Sequence, residues 1–121
     1  MDVSQYLEIF IDETKEHVQN LNSQILELEQ EPENSDVINE IFRAAHSLKG
    51  MAGTMGFKRM QRVTHDMENV FQEVRSDKIK VNGSMIDVLF QCLSAEFGMD
   101  IRTGLYDHNI QIGLFKHSIV V

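Results

Sequence analysis

The feature that most constrains the fold of this chain is a helical spacing of apolar residues that recurs in four successive segments. In the first segment, apolar residues follow one another at intervals of three and four, and most acidic residues lie off this stripe. The pattern predicts an amphipathic helix from Ser4 to about Gln30. Its inward stripe consists of Leu7, Ile11, Val18, Leu21, Ile25 and Leu28, with Thr14 completing the series.

A second helix is predicted after a break at Pro32. Proline lacks a backbone donor and restricts the residue before it, so the first helix ends there. Asn34 or Ser35 can cap the helix that follows, and Gly56 is a suitable C-terminal stop because glycine adopts the left-handed conformation at low cost. The predicted inward residues are Ile38, Ile41, Phe42, Ala45, Leu48, Ala52 and Met55.

Two further helices follow, and they complete an all-α domain. The third runs from about Lys58 to Arg75, and a polar loop over residues 76–83 separates it from the fourth. Ser84, followed three residues later by Asp87, is predicted to open the fourth helix as a capping box. Short links between amphipathic helices predict an antiparallel, up-and-down four-helix bundle. The predicted inward residues are Met60, Val63, Met67, Val70, Phe71 and Val74 in the third helix and Ile86, Leu89, Phe90 and Leu93 in the fourth.

The bundle pattern stops after Leu93. Residues 94–121 contain three glycines and two histidines and keep no helical stripe for more than one turn. The alternation of Ile110, Ile112 and Leu114 is too short to define a sheet. We therefore expect a helical bundle over residues 1–93 and an irregular C-terminal extension over residues 94–121, either packed on the bundle or foreign to it.

Length and charge exclude several classes of protein. A chain of 121 residues corresponds to one domain, and its net charge of −8 argues against nucleic-acid binding. The acidity belongs to the bundle, because 16 acidic and nine basic residues lie within 1–93. No apolar run approaches transmembrane length, and the N-terminus lacks the pattern of a signal peptide. We expect a cytoplasmic protein without direct membrane insertion, whose single cysteine, Cys92, is reduced.

The second helix contains an unusual segment around His46. At 100° per residue, His46 lies roughly 130° from the centre of the inward stripe, so its imidazole is predicted to face water. Side chains lean toward the N-terminus of a helix, and Gly50 occupies the position that would otherwise cover the histidine. Gly53 is next along this face, although a glycine inside a helix costs about 1 kcal/mol. The two glycines are predicted to clear a bay beside His46, with Lys49 at its edge.

These residue types suit the transfer of a phosphoryl group. A neutral histidine offers a nucleophilic nitrogen at cellular pH. A second group on the other ring nitrogen would fix the tautomer, and a cation would contact the phosphoryl oxygens. In the third helix, His65 and Glu68 share one face, off the inward stripe. This flank of the third helix can meet His46 across the groove between the two helices.

At this point the sequence resembles a known family, the histidine phosphotransfer (HPt) domain. It is similar in particular to the N-terminal P1 domain of CheA-type chemotaxis histidine kinases. The opening Tyr6–His17 is similar to the first helix of that family, and Ile41–His46 to the approach to its phosphohistidine. The resemblance covers about residues 3–93. The motifs that carry it are His46-Ser-Leu-Lys49-Gly50, Gly53-Thr-Met-Gly56-Phe57 and His65-x-x-Glu68.

The resemblance implies a phosphohistidine carrier in a two-component chemotaxis system. His46 would accept a phosphoryl group from ATP through a separate histidine kinase catalytic domain, of the same protein or a dimer mate, and pass it to aspartates of chemotaxis response regulators. Glu68 would orient the imidazole, Lys49 would contact the phosphoryl group, and His65 would join their network. The domain itself would bind no cofactor, because ATP and Mg²⁺ would belong to the kinase domain. Family members usually add a fifth helix, and this chain departs from that pattern after Leu93.

Three other classes of protein fit parts of the sequence less well. A helical-bundle metalloprotein would need two inward Glu-x-x-His motifs and further glutamates, whereas this chain has one reversed, outward-facing motif. A docking protein with an inactive histidine is disfavoured by the intact Lys49, Gly50 and Glu68. An autonomous kinase is disfavoured because the glycines at 50, 53 and 56 lack the preceding strand and following Lys-Ser/Thr of a phosphate-binding loop. The candidate metal ligands are His46, His65, Asp66 and Glu68.

Overall fold

A computed structural model describes residues 3–97, and these residues form four α-helices. Within this part of the chain there is no strand. α1 packs on α2 and α4, α4 also packs on α3, and α2 with α3 is the most extensive helix pair. The predicted all-α four-helix bundle is therefore confirmed. The bounds of the helices are Val3–Gln30 for α1, Ser35–Met55 for α2, Lys58–Arg75 for α3 and Gly83–Phe97 for α4.

Most of the core of the bundle comes from the predicted apolar stripes, although Val63 and Val70 of the α3 stripe are only half-buried. The core also contains Phe10, Val37 and Phe57, which the stripes did not include. Thr14, the one polar member of the α1 stripe, is fully buried along with its apolar neighbours. Near the α2–α3 turn, the rings of Phe10 and Phe57 meet edge to face, with centroids 4.9 Å apart. Each helix contributes fully buried apolar side chains, among them Leu21 and Leu28 from α1, Ile41 from α2, Phe71 from α3 and Leu93 from α4.

The turn between α2 and α3 is closed by backbone hydrogen bonds around Gly56. Gly56 has a φ of 76°, and its N–H donates to the carbonyl of Gly53 at 3.1 Å. The N–H of Phe57 donates to the carbonyl of Ala52 at 2.8 Å, and the Phe57 ring is completely buried. This is the pattern of a Schellman motif with its apolar contact. The predicted stop at Gly56 is confirmed, and the buried Phe57 anchors the start of α3.

Asparagine side chains cap two of the helices. At α2, the Asn34 side chain accepts from the backbone N–H groups of Asp36 and Val37. At α4, the prediction that Ser84 opens the helix is wrong. The helix begins at Gly83, and Asn82 Oδ1 accepts from the N–H of Met85 at 2.9 Å. Asparagine caps as well as serine, and Asn82 lies two residues earlier in the chain, where it can bond the first turn.

The last described helix extends beyond the expected end of the bundle. α4 continues past Leu93 to Phe97. The remainder of the predicted C-terminal extension, residues 98–121, lies outside the described residues, so the domain boundary stays a prediction. Among the helices of the described part, none is long and apolar enough to span a membrane.

Candidate functional site

Two pairs of residues define how α2 and α3 face each other. His46 of α2 is hydrogen-bonded to Glu68 of α3. A Cβ placed on Gly53 would lie 2.7 Å from the Gln61 side chain. Gly53 is seven residues after His46 in α2, and Gln61 is seven residues before Glu68 in α3. The two pairs fit one antiparallel register. We call the surface between them the α2–α3 groove, bordered by His46, Lys49, Gly50, Gly53, Gln61, His65 and Glu68.

The His46 imidazole is the exposed ring of the α2–α3 groove. Its side chain is 65% exposed, whereas Ala45 and Leu48 on either side are buried in the core. The helical spacing predicted this exposure. One ring nitrogen, Nδ1, lies 3.1 Å from Oε2 of Glu68. The ring is thus held at one nitrogen while its face remains open to a partner.

Glu68 contacts two partners through a single oxygen. Its Oε2 lies 2.8 Å from Lys49 Nζ and 3.1 Å from His46 Nδ1, and the side chain is only 16% exposed. The hydrogen bond from Lys49 lowers the pKa of Glu68, partial burial acts in the opposite direction, and the hydrogen bond with His46 adds to the lowering. The carboxyl group is therefore ionised at neutral pH, where it can only accept hydrogen bonds.

An ionised Glu68 determines the tautomer of a neutral His46. A carboxylate accepts but does not donate, so the proton of the imidazole must lie on Nδ1. Nε2 then carries the lone pair, and it makes no hydrogen bond within residues 3–97. In the neutral form of this imidazole, Nε2 is the accessible nucleophilic nitrogen that phosphoryl transfer requires.

Lys49 forms an ion pair with Glu68 that the sequence did not predict. The sequence predicts that Lys49 contacts a phosphoryl group, whereas the structure pairs its ammonium with Glu68 at 2.8 Å. The side chain remains 26% exposed. An ammonium has three N–H donors, and Glu68 occupies one of them. Contact with a phosphoryl group therefore stays a prediction for Lys49, beside its observed contact with Glu68.

The two glycines of the predicted bay differ in their surroundings. A Cβ on Gly50 would meet no atom within 4 Å, so this position adjoins open space beside His46. A Cβ on Gly53 would lie 2.7 Å from Nε2 of Gln61. The predicted open bay is thus present at Gly50 but not at Gly53, because the Gln61 side chain fills the space there. The missing side chain at Gly53 instead leaves room for the end of the Gln61 side chain against α2.

His65 is not joined to the cluster of His46, Lys49 and Glu68. It is exposed one turn before Glu68, and it makes no hydrogen bond or ion pair with any described residue. Its place in the network stays a prediction. For the metal-binding alternative, residues 3–97 contain no group of three or more His, Cys, Asp or Glu side chains placed to hold a metal ion.

The contact that sequence reasoning missed is the ion pair between Lys49 and Glu68. The available signal was the i, i+3 spacing of His46 and Lys49, because residues at that spacing can reach one carboxylate on a neighbouring helix. Which carboxylate they reach depends on the register of α2 and α3. That register is anchored by the turn at Gly56 and Phe57, whose geometry helical periodicity does not define.

Sequence comparison places this site within a known family. A family model for the Hpt domain matches residues 5–98. The chain is 47% identical over 88 residues to the chemotaxis protein CheA of Listeria monocytogenes and 45% identical over 93 residues to that of Bacillus subtilis. These matches cover 73% and 77% of this chain but only 14% of either relative. The chain thus corresponds to a small part of the length of those proteins.

Two solved structures share the fold. The CheA phosphotransferase domain from Thermotoga maritima matches with a TM-score of 0.79 at 40% identity, over 100% of both chains. A solution structure of the histidine phosphotransfer domain of CheA matches with a TM-score of 0.75 at 41% identity, over 98% of this chain and 92% of that one. The fold and the site therefore define a domain of the histidine phosphotransfer class.

The chain belongs to the Hpt domain family and is homologous to the phosphotransfer domains of CheA proteins. The resemblance read from the sequence motifs is confirmed.

Proposed function

We propose that this domain is a phosphohistidine carrier of a two-component chemotaxis system. The observation that carries the proposal is the 3.1 Å contact between His46 Nδ1 and Glu68, which leaves Nε2 of an exposed imidazole as the nucleophile. His46 accepts a phosphoryl group from ATP bound in a separate histidine kinase catalytic domain. It then passes the group to an aspartate of a chemotaxis response regulator. Homology to CheA proteins supports this pair of partners.

The first transfer forms a phosphorus–nitrogen bond. The Nε2 lone pair of His46 attacks the γ-phosphorus of ATP, the bond to the bridging oxygen breaks, and its electrons leave with ADP. No proton has to move, because Nδ1 keeps its hydrogen and the ring becomes a cation bearing the phosphoryl group. The Glu68 carboxylate, already bonded to Nδ1, stabilises this positive ring in the same way that an aspartate stabilises the imidazolium of a hydrolase triad.

The second transfer returns His46 to its starting state. An aspartate carboxylate oxygen of the response regulator attacks the phosphorus, the phosphorus–nitrogen bond breaks, and its electrons return to Nε2. The products are an acyl phosphate on the regulator and a neutral imidazole with its proton still on Nδ1. Because Glu68 holds the same tautomer before and after, it acts as an orienting residue in both directions.

Lys49 is assigned two contacts in this cycle. It holds Glu68 in the resting domain, and its remaining N–H donors contact the phosphoryl oxygens when the group is on His46. The open space at Gly50 admits the donor and acceptor proteins. His65 is assigned a weaker part in the same network, from its position one turn before Glu68.

The proposed partners follow from the separation of the ATP-binding site and the phosphoacceptor into different domains. The kinase domain, on the same full-length protein or on a dimer mate, holds ATP and Mg²⁺, and this domain contributes only the phosphoacceptor. We place the domain in the cytoplasm, where ATP is produced, with no nucleic acid among its partners and no direct membrane insertion. The net charge of −8 supports the first of these exclusions.

A phosphorylation assay tests the proposal. The purified domain is incubated with phosphoramidate, a small phosphoryl donor, and separately with ATP and a CheA kinase core. We expect both donors to produce acid-labile, base-stable phosphate on the wild-type chain and neither to do so on His46→Gln. His17→Gln is the matched control, because it removes a histidine from α1 and should leave incorporation unchanged. Incorporation into His46→Gln would contradict the assignment.

A further inference from the structure

Charge is unevenly distributed around the phosphoacceptor. Residues 41–65 contain five of the 11 basic residues and none of the 19 acidic residues. The rest of the chain holds six basic and all 19 acidic residues. This segment comprises most of α2, the turn at Gly56 and the first half of α3. It forms most of both walls of the α2–α3 groove, with Glu40 and Asp66 at its ends and Glu68 beside His46. Residues 40–68 thus carry five cations and three carboxylates, in a protein whose net charge is strongly negative.

Three cations of this segment stand exposed beside the groove. Lys58 and Arg62, one turn apart, share the outer face of α3, and Arg43 is one turn before His46 on α2. We call these three residues the cationic rim. None of them forms an ion pair or a hydrogen bond with another described residue. The lysines at the opposite end of the bundle differ: Lys78 and Lys80 each lie 3.9 Å from a glutamate oxygen.

The position of Lys58 opposes local helix stability. The first turn of α3 contains no acidic residue and begins with Lys58. Cations are disfavoured at a helix N-terminus, where the macrodipole is positive. The start of α2 follows the usual preference, with Asp36 in its first turn. Three cations without an ion pair beside His46, one of them at an unfavourable place, fit an interaction with an anionic partner.

We propose that the cationic rim docks the acidic protein face that surrounds the acceptor aspartate of a response regulator. The inference rests on the proposed function of His46 and adds a surface to it. A carboxylate acceptor and a phosphoryl group are both negatively charged and repel each other on approach. Flanking cations offset this repulsion and steer the encounter.

The length of the cationic rim indicates that its binding partner is a protein surface rather than the nucleotide of the phosphoryl donor. In the antiparallel register of α2 and α3, Lys58 lies opposite Gly56, and Arg43 lies 13 residues before Gly56. At 1.5 Å per residue, the rim extends for about 20 Å along the bundle. A triphosphate is too short to contact both ends, whereas the face of a small globular domain is large enough.

The test compares two double variants that lose the same charge. Arg43→Gln/Arg62→Gln removes two cations of the rim, and Lys78→Gln/Lys80→Gln removes two at the opposite end of the bundle. Each chain is first loaded with phosphoramidate, which needs no docking, and then mixed with a purified single-domain chemotaxis response regulator and Mg²⁺. The second-order rate constant for loss of phosphohistidine is measured at low salt and at about 1 M salt, where the Debye length is about 3 Å.

We expect the rim variant to load normally and to transfer about tenfold more slowly than wild type at low salt, with the difference disappearing at high salt. The control variant should transfer at the wild-type rate. Equal rates for the two variants at low salt would overturn the proposal, as would a defect confined to loading by ATP and a kinase core. If the wild-type chain itself gains no phosphate on His46, the proposed function fails instead.

Discussion

Two regions of the described bundle differ in what lines them. In the α2–α3 groove, an imidazole and an ammonium both lie within hydrogen-bonding distance of one carboxylate. A groove of about 1050 Å³ lies at the end of the bundle where α2 begins, between the α1–α2 and α3–α4 links. We call it the end groove. No histidine lines it, and its charges include the neighbouring Lys80 and Glu33, 3.9 Å apart.

Under the proposed function, the larger cavity volume does not mark the functional site of this protein. A phosphoryl carrier receives its group from one protein and gives it to another, so the partners supply the enclosing pocket and the carrier has to expose its nucleophile. His46 is 65% exposed, in agreement with that requirement. The chemistry of the α2–α3 groove depends on three side chains and an open space at Gly50 rather than on a cavity. The predictions below test this contrast between the two regions.

Among substitutions in the α2–α3 groove that keep His46, Glu68→Gln should slow phosphorylation the most. The neutral amide no longer fixes the Nδ1–H tautomer or stabilises the phosphorylated ring. By analogy with the carboxylates that orient metal-bound histidines, this loss should cost about 10- to 100-fold in activity. We expect that loss in single-turnover phosphorylation by ATP and a CheA kinase core. Thermal unfolding should show that the bundle remains intact.

A matched control for Glu68→Gln lies on the same helix. Glu73→Gln removes an α3 carboxylate that lies 3.9 Å from Lys78, away from His46. Its phosphorylation rate should equal that of wild type. Equal rates for both variants would show that Glu68 does not orient His46.

Lys49→Gln should have a smaller effect, visible first in a titration. Without the ammonium, the pKa of Glu68 should rise toward its ordinary value, because the hydrogen bond from Lys49 is the main cause of its lowering. A lowered pKa stabilises the fold above the unfolded-state pKa, and this contribution is lost as pH falls through the folded-state pKa. The stability advantage of wild type over the variant should therefore be present at neutral pH and vanish in acid.

NMR titration of the Glu68 side-chain carboxyl measures this shift directly. Urea unfolding at neutral and acidic pH measures the linked change in stability. An unchanged Glu68 titration in Lys49→Gln would show that the ion pair at 2.8 Å does not control the carboxylate.

Much of the fold was predictable from the sequence, because helical periodicity and capping act locally. Gly56 stops α2 and α3 spans Lys58–Arg75 as predicted. The start of α4 was wrong because Asn82 and Ser84 are both good caps, and composition does not rank them. The exposure of His46 followed from its angle on the helix. The pairing of Lys49 with Glu68 and the contact of Gln61 with Gly53 depend on interhelical register, which spacing within one helix does not define.

The two glycines of the groove should respond differently to alanine. Gly50→Ala should raise the free energy of unfolding by up to about 1 kcal/mol, since alanine is the better helix former and no atom lies within 4 Å of the new methyl group. Gly53→Ala should gain less or lose stability, because the Gln61 side chain has to move. Urea unfolding measures both. Adding Gln61→Ala to the Gly53→Ala variant should restore the gain in stability, because the obstructing side chain is then absent. If Gly53→Ala alone gained as much stability as Gly50→Ala, the contact with Gln61 would have no energetic weight.

Ile79→Ser tests the other side of the comparison and should have the smallest effect on phosphorylation. Ile79 lines the end groove and is 38% exposed, so the substitution costs little packing. Phosphorylation of His46 by phosphoramidate and by a kinase core should proceed at the wild-type rate. A marked slowing with an intact fold would show that the end groove takes part in the transfer, and the contrast between the two regions would fail.

The most direct test of the central claim is the identity of the nitrogen that carries the phosphoryl group. The chain is labelled isotopically on histidine, loaded with phosphoramidate, and its phosphorus–nitrogen couplings are measured by NMR. The geometry of His46 and Glu68 predicts a phosphorus coupled to Nε2 of His46, with Nδ1 retaining its hydrogen toward Glu68. Phosphate on Nδ1 of His46, or on another residue in place of His46, would contradict the account.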